Sequence, residues 1–280
     1  MSVVIRSALE LGQTHPGPRN PVGAPRNSTG ILSFLGAKGG VGTTTVALNV
    51  AAVLARRCRV ILVEMQPDFG SLLAYLRPYG QIRNTASLMR ADAPEMGAAE
   101  AAASLWPCKN VPGLSILFGP HLATDCGELD ANRVRSALAV LAGLADYLIL
   151  DLPPSLAGSN RAATASSGRL ILVMERDPVC LSSATLMARA VESWVGTPQP
   201  LQTVVVNRAS VSCPIPLAEI EAQLGFPALG VVAPGPDLCL AAQHAHVPLV
   251  LFQPESLIAG SLVDIAGKCS SFITTAHMVA

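Results

Sequence analysis

The sequence predicts an α/β fold: a doubly wound, mostly parallel sheet with helices on both faces. Three observations carry that expectation. Short apolar runs alternate with helical patterns from residue 31 onward, the rhythm of parallel strands joined by crossover helices. A glycine-rich turn follows the first of these runs. A later run ends in Asp151, and folds of this class gather their ligands beyond the carboxyl ends of the strands.

Composition narrows the possibilities. The 280 residues suit one α/β domain with a tail, or at most two small domains. Charged residues are 14% and mean hydropathy is +0.45, so a large core lies beneath a sparsely charged surface. Nineteen basic residues balance nineteen acidic ones, which leaves no strong nucleic-acid signal. Seven scattered cysteines without a C-x-x-C pair read as reduced thiols and argue against structural zinc. There is no apolar run of about 18 residues and no signal-peptide core, so the expected location is cytoplasmic, without an intrinsic membrane anchor.

Taken in order, residues 1–29 form a Pro/Gly-rich leader with no stable core, expected to be flexible or draped on a domain spanning 30–280. A partner-binding arm is the alternative use. Residues 31–35 are a buried strand, and Val46, Leu48, Val50 and Leu54 mark a helix packed on most faces. Between them lies Gly36-Ala37-Lys38-Gly39-Gly40-Val41-Gly42-Thr43-Thr44-Thr45. Strand, glycine turn and helix aim free backbone N–H groups at an anion. The stretch is matched to the phosphate-loop pattern G-x-x-x-x-G-K-[ST] on Gly36, Gly42 and Thr44, with Thr43 where the lysine belongs. Four glycines in seven residues weaken a fold unless a backbone must approach something closely.

Residues 59–64 give a second strand, followed by Gln66 and by Asp68, which either shapes the turn or shifts toward the loop. Helices are expected near 72–76 and over 98–106, with Trp106 as a core anchor, then a strand over 114–117 and a helix over 130–144. Residues 146–151 form an apolar strand ending in Asp151, followed by Leu152-Pro153-Pro154-Ser155. Beside a phosphate loop such an aspartate holds Mg²⁺, directly or through water, with Thr44 supplying the hydroxyl. Strands over 169–175, 203–208 and 230–234 alternate with helices over 181–195, 216–224 and 255–269. His244 and His246 read as packing or surface residues rather than ligands, because no carboxylate or thiol sits at ligand spacing.

The Lys38-Gly39-Gly40-Val41-Gly42 segment and the Asp151-Leu152-Pro153-Pro154-Ser155 run resemble the MinD/ParA family of P-loop ATPases, with its deviant Walker A loop, over roughly residues 30–268. The resemblance implies ATP and Mg²⁺ as ligands. Gly36, Lys38, Gly39, Gly40, Val41, Gly42, Thr43, Thr44 and Thr45 would cradle the nucleotide, and Thr44 and Asp151 would hold the metal. Asn207 would contact the adenine, with Arg208 stacking or at the rim; Asn207 as a plain turn residue is the other reading. Lys38 and Asp151 take the family's catalytic positions. Gln66 stands where the family has a water-positioning aspartate, a degenerate position that cannot act as a carboxylate.

Gln66-Pro67-Asp68-Phe69-Gly70, together with the loop and the Asp-Leu-Pro-Pro-Ser run, looks most like the CpaE/TadZ branch, which serves Flp (Tad) pilus assembly and polar localisation. Many members of that branch begin with a receiver-like domain, for which 29 residues are too few. The resemblance further implies a homodimer bridged by ATP, with Lys38 reaching the partner's phosphates. Partners would be pilus or secretion assembly proteins, which would also recruit the chain to the membrane or cell pole. Thr43 and Gln66 together imply weak or absent hydrolysis. They equally suit a nucleotide-free scaffold. A ParA-like DNA or cargo segregation ATPase fits the zero net charge less well.

Overall fold

The computed structural model describes residues 30–194, 201–206 and 215–276. The leader over 1–29, Asn207 and Arg208 lie outside them. Eight strands, β1 Gly30–Gly36, β2 Val60–Glu64, β3 Trp106–Pro107, β4 Leu114–Leu117, β5 Tyr147–Leu152, β6 Arg169–Glu175, β7 Leu201–Val206 and β8 Ala228–Val232, are found among the described residues. They form one sheet in the order β3-β4-β2-β5-β1-β6-β7-β8. Each pairing is parallel except that of β3 with β4. The helices are α1 Thr43–Leu54, α2 Leu72–Leu76, α3 Ala86–Met89, α4 Ala98–Ala103, α5 Ala131–Ala142 and α6 Gly158–Ala165. They continue with α7 Pro178–Trp194, α8 Leu217–Leu224, α9 Pro236–His244, α10 Leu249–Phe252 and α11 Leu257–Ala276.

β1 lies between β5 and β6, and the chain builds outward first on one side of it and then on the other. Such a reversal opens a crevice at the carboxyl ends of the strands, where this fold class binds ligands. β2 and β5 are buried along their whole length, as expected of apolar runs covered on both faces. α1 packs against β1, β2 and β5 and also against α10 and α11, while α5, α6 and α7 pack in a separate row. Buried Val46, Leu48, Val50 and Leu54 on α1 each contribute about 1.5–3 kcal/mol. Asn49 stitches α10 onto α1: its amide donates to Thr45 O at 2.8 Å and its Oδ1 accepts from Val250 N at 3.0 Å. The edge strand β8 is blunted by side chains. Lys268 Nζ donates to Leu229 O, and Glu221 Oε1 accepts from Ala228 N, each at 2.8 Å.

Several boundaries differ from the sequence expectation. The helix predicted over 98–106 ends at Ala103, where the Ser104 hydroxyl turns back onto Glu100 O at 2.9 Å. Trp106 then enters the short antiparallel β3, its ring 5.7 Å from that of Phe118. α7 starts earlier than predicted because Asp177 accepts from Cys180 N at 2.9 Å and caps its first turn. α11 runs seven residues past the predicted end at 269, to Ala276. β8 lies two residues earlier than predicted. Among the described residues no helix is long and apolar enough to cross a membrane.

Candidate functional site

The glycine loop leaves the carboxyl end of the central strand β1. Ala37 N donates to Val173 O at 2.9 Å, which fastens the start of the loop to β6. Buried Val41 anchors its middle. Gly40 and Gly42 have φ of 80° and 93°, the left-handed region that glycine adopts without strain. Gly42 is the cap of α1, so the turn delivers the chain directly into the helix. One detail of the sequence match is corrected. Five residues, not four, separate Gly36 from Gly42, so the pattern's first glycine falls on Ala37. Gly36 has a different reason to be glycine. A Cβ there would sit 2.7 Å from Thr43 Oγ1 and 3.1 Å from Lys38 O. The Thr43 hydroxyl thus tucks against the end of β1 and brings no charge to the loop.

The expected meeting of Thr44 and Asp151 is present. Thr44 Oγ1 donates to Asp151 Oδ2 at 2.7 Å, joining the first turn of α1 to the end of β5. Asp151 is fully buried, and its Oδ1 has no hydrogen-bond partner among the described residues. Burial pushes its carboxyl up to about 8; the Thr44 bond opposes that rise and the nearby Glu64 charge adds to it. A buried carboxylate oxygen with no donor is costly unless a cation completes it, so Thr44 and Asp151 fit a bound Mg²⁺.

Glu64 is the neighbour of Asp151 in the β2–β5 register. It too is fully buried, but it is saturated with donors. Its Oε1 accepts from Ser71 N at 2.6 Å, Leu72 N at 3.0 Å and the Ser71 hydroxyl at 3.3 Å, while Oε2 accepts from Gly119 N at 2.9 Å. Gln66 is half-buried and Asp68 exposed, on the loop that Glu64 closes. Met65 N donates to Asp151 O at 2.9 Å.

Lys38 lies 3.7 Å from Glu175 at the end of β6, with about a third of its side chain exposed (34%). After Asp151, Asn160 Nδ2 holds the backbone by donating to Pro153 O at 2.8 Å and to Ser155 O at 2.9 Å. Behind the loop opens a cavity of about 520 Å³. Gly40, Gly42 and Thr45 form one wall, Val206 and Val232 the strand ends, and Cys239 and Gln243 of α9 the far side. Asn207 and Arg208 follow directly on Val206 but lie outside the described residues.

Sequence reading gave the loop, Thr44 and Asp151 without foreseeing their direct bond. It missed the roles of Glu175, Asn160 and Cys239. Glu175 was visible as a charged residue ending an apolar strand. The others have no local signal, because their partners lie on other elements.

The sequence profile of the AAA domain family AAA_31 matches residues 29–197. The chain is 26% identical over 247 residues to an uncharacterised ATP-binding protein of Methanocaldococcus jannaschii, covering 85% of this chain and 86% of that protein. It is 28% identical over 201 residues to the chromosome partitioning protein ParA of Myxococcus xanthus, covering 69% and 66%. Its fold is similar to that of the septum site-determining protein MinD complexed with Mg-ADP from Pyrococcus horikoshii. The TM-score is 0.75 at 19% identity, covering 88% of this chain and 98% of that one.

Proposed function

The chain belongs to the AAA domain family AAA_31, and on that premise we propose that it is a MinD/ParA-type switch that binds Mg·ATP through a deviant Walker A loop and hydrolyses it very slowly. The observation that carries this reading is the Thr44–Asp151 bond beside the glycine loop, with one buried Asp151 oxygen left for a cation. Backbone N–H groups from Gly39 to Thr45 take the phosphates at the N-terminus of α1. Thr44 and Asp151 hold the metal, which when bound offsets negative charge on the phosphate oxygens. The base enters the cavity between the loop and α9, with Asn207 and Arg208 as its contacts.

Slow chemistry follows from two residue types. Thr43 offers a hydroxyl where a lysine charge strengthens in the transition state, and Gln66 offers an amide where a carboxylate orients water. Loss of one such preorganised group lowers a rate by roughly 10²–10³, and two losses overlap rather than multiply. Lys38 is the remaining loop cation. Its part-exposed contact with Glu175 is of a kind worth little, so Lys38 is free to turn to a partner's phosphates in an ATP-bridged homodimer.

The domain spans 30–280 behind the leader. The cellular role closest to the sequence pattern is pilus assembly of the CpaE/TadZ type, in the cytoplasm, with recruitment by assembly partners. A nucleotide-free scaffold is the second reading, favoured by Thr43 and Gln66 alone. Calorimetry with Mg·ATP beside a phosphate-release assay separates the two. Binding with barely measurable release is expected, together with turnover about 10²-fold faster in Thr43→Lys/Gln66→Asp. Brisk hydrolysis by the native chain would sink the slow switch, and absent binding would leave the scaffold.

A further inference from the structure

Glu64 ends β2 two residues before Gln66, and the fold occupies both of its carboxylate oxygens. Its two oxygens receive four hydrogen bonds, three from backbone N–H groups and one from the Ser71 hydroxyl. Two of those N–H groups open α2, and the third belongs to the chain leaving β4. A charged acceptor at a helix start is favoured by the unpaired N–H groups there. Two glycines make room for it. A Cβ on Gly70 would stand 2.3 Å from Glu64 Oε2, and one on Gly119 3.2 Å from the same atom. Gly70 N also donates to Pro120 O at 2.8 Å, so the same two loops are tied twice.

We infer that Glu64 is a positioning residue: its carboxylate, seated between Gly70 and Gly119, fixes the loop over 65–72 in one conformation with or without nucleotide. Gln66 is carried by that loop, and its backbone is also held from the other side, through Met65 N on Asp151 O. The backbone that carries Gln66 is therefore held at a constant place next to the end of β5. Any response to nucleotide falls on the run after β5, where Asn160 is the side chain that holds the Pro153 and Ser155 carbonyls among the described residues and where Leu156 is 62% exposed. The clause about nucleotide rests on the function proposed above. The carboxylate seat does not.

Amide hydrogen exchange on the full chain tests both. In the native protein, residues 65–72 and 118–121 should be protected, and saturating Mg·ADP or Mg·AMP-PNP should change their exchange less than twofold. Residues 153–157 should slow. Gly70→Ala should speed exchange in 65–72 by roughly tenfold or more, since it displaces a charge-assisted acceptor. Adding Glu64→Asp, one methylene shorter, should bring the double variant back toward the native rate. Rescue by the shorter acid is not expected of a glycine that merely eases a turn. Calorimetry on the same samples reports whether nucleotide binds, so a failure of the function reading is seen separately. Nucleotide-dependent exchange in 65–72, an indifferent Gly70→Ala, or a double variant no better than the single would each overturn the inference.

Discussion

Two carboxylates stand side by side at the carboxyl edge of the sheet, Glu64 on β2 and Asp151 on β5, paired in register and both fully buried. Their surroundings are opposite. Glu64 has donors on both oxygens, all supplied by the fold. Asp151 has the Thr44 hydroxyl on one oxygen and no donor among the described residues on the other, and its carboxyl is pushed up to about 8. Burial alone therefore does not mark a functional acid. What separates the two is the donor count: the fold satisfies one carboxylate and leaves the other short, and the short one is the acid to which the proposed function gives a metal.

A large effect expected from this contrast, and one present at neutral pH without any ligand, is on stability at Glu64. Glu64→Gln keeps the shape but turns an amide N–H₂ toward backbone donors. It should destabilise the empty protein by about 3 kcal/mol, read as a lower urea midpoint. A variant as stable as the native chain would show that the four bonds are ornamental.

An effect with the opposite sense is expected at Asp151, and it grows with pH. The folded carboxyl keeps its proton up to about 8, whereas an ordinary aspartate loses it near 3.8. Between those values the unfolded chain binds fewer protons than the folded one, so stability falls as pH rises. Relative to Asp151→Asn, the native protein should lose up to about 1.4 kcal/mol per pH unit across that window and level off above it. Denaturation at several pH values checks this, and a flat difference would mean that Asp151 is ionised in the empty fold.

The smallest effect is expected where a charge is only part-buried. Glu175→Gln removes the 3.7 Å contact with Lys38 and should change stability by less than about 1 kcal/mol. Lys38→Ala should match it in stability, yet abolish any ATP-promoted self-association seen by sedimentation. ATP-independent size in both proteins would count against the bridging role of Lys38.

The contrast also shows what a sequence can carry. Local signals were legible: the apolar strands, the glycine loop and Asp151 all announce themselves by neighbours in the chain, and the mostly parallel pairing follows from strand–helix alternation. Glu64 was visible as an acid ending a strand, but its meaning was not. Its donors lie seven, eight and 55 residues away, and Gly70 and Gly119 look like turn residues until the carboxylate is seen between them. The antiparallel β3 was hidden in an alanine-rich run whose helical propensity fades only at Ser104. Asn160 and Cys239 were hidden in the same way, since each acts through a contact made by tertiary packing.

One pair of melting curves tests the central claim that Asp151 is left unsatisfied in order to hold a metal-bound nucleotide. Asp151→Asn and the native chain are unfolded thermally at pH 7, empty and with Mg·ATP. The native protein should gain melting temperature with Mg·ATP and lose that gain when the metal is chelated. Asp151→Asn should show no metal-dependent gain, and its empty form should melt no lower than the native one, because a neutral amide is easier to bury than an acid short of donors. An empty Asp151→Asn that melts well below the native chain, or one that keeps the full Mg·ATP shift, would contradict the account.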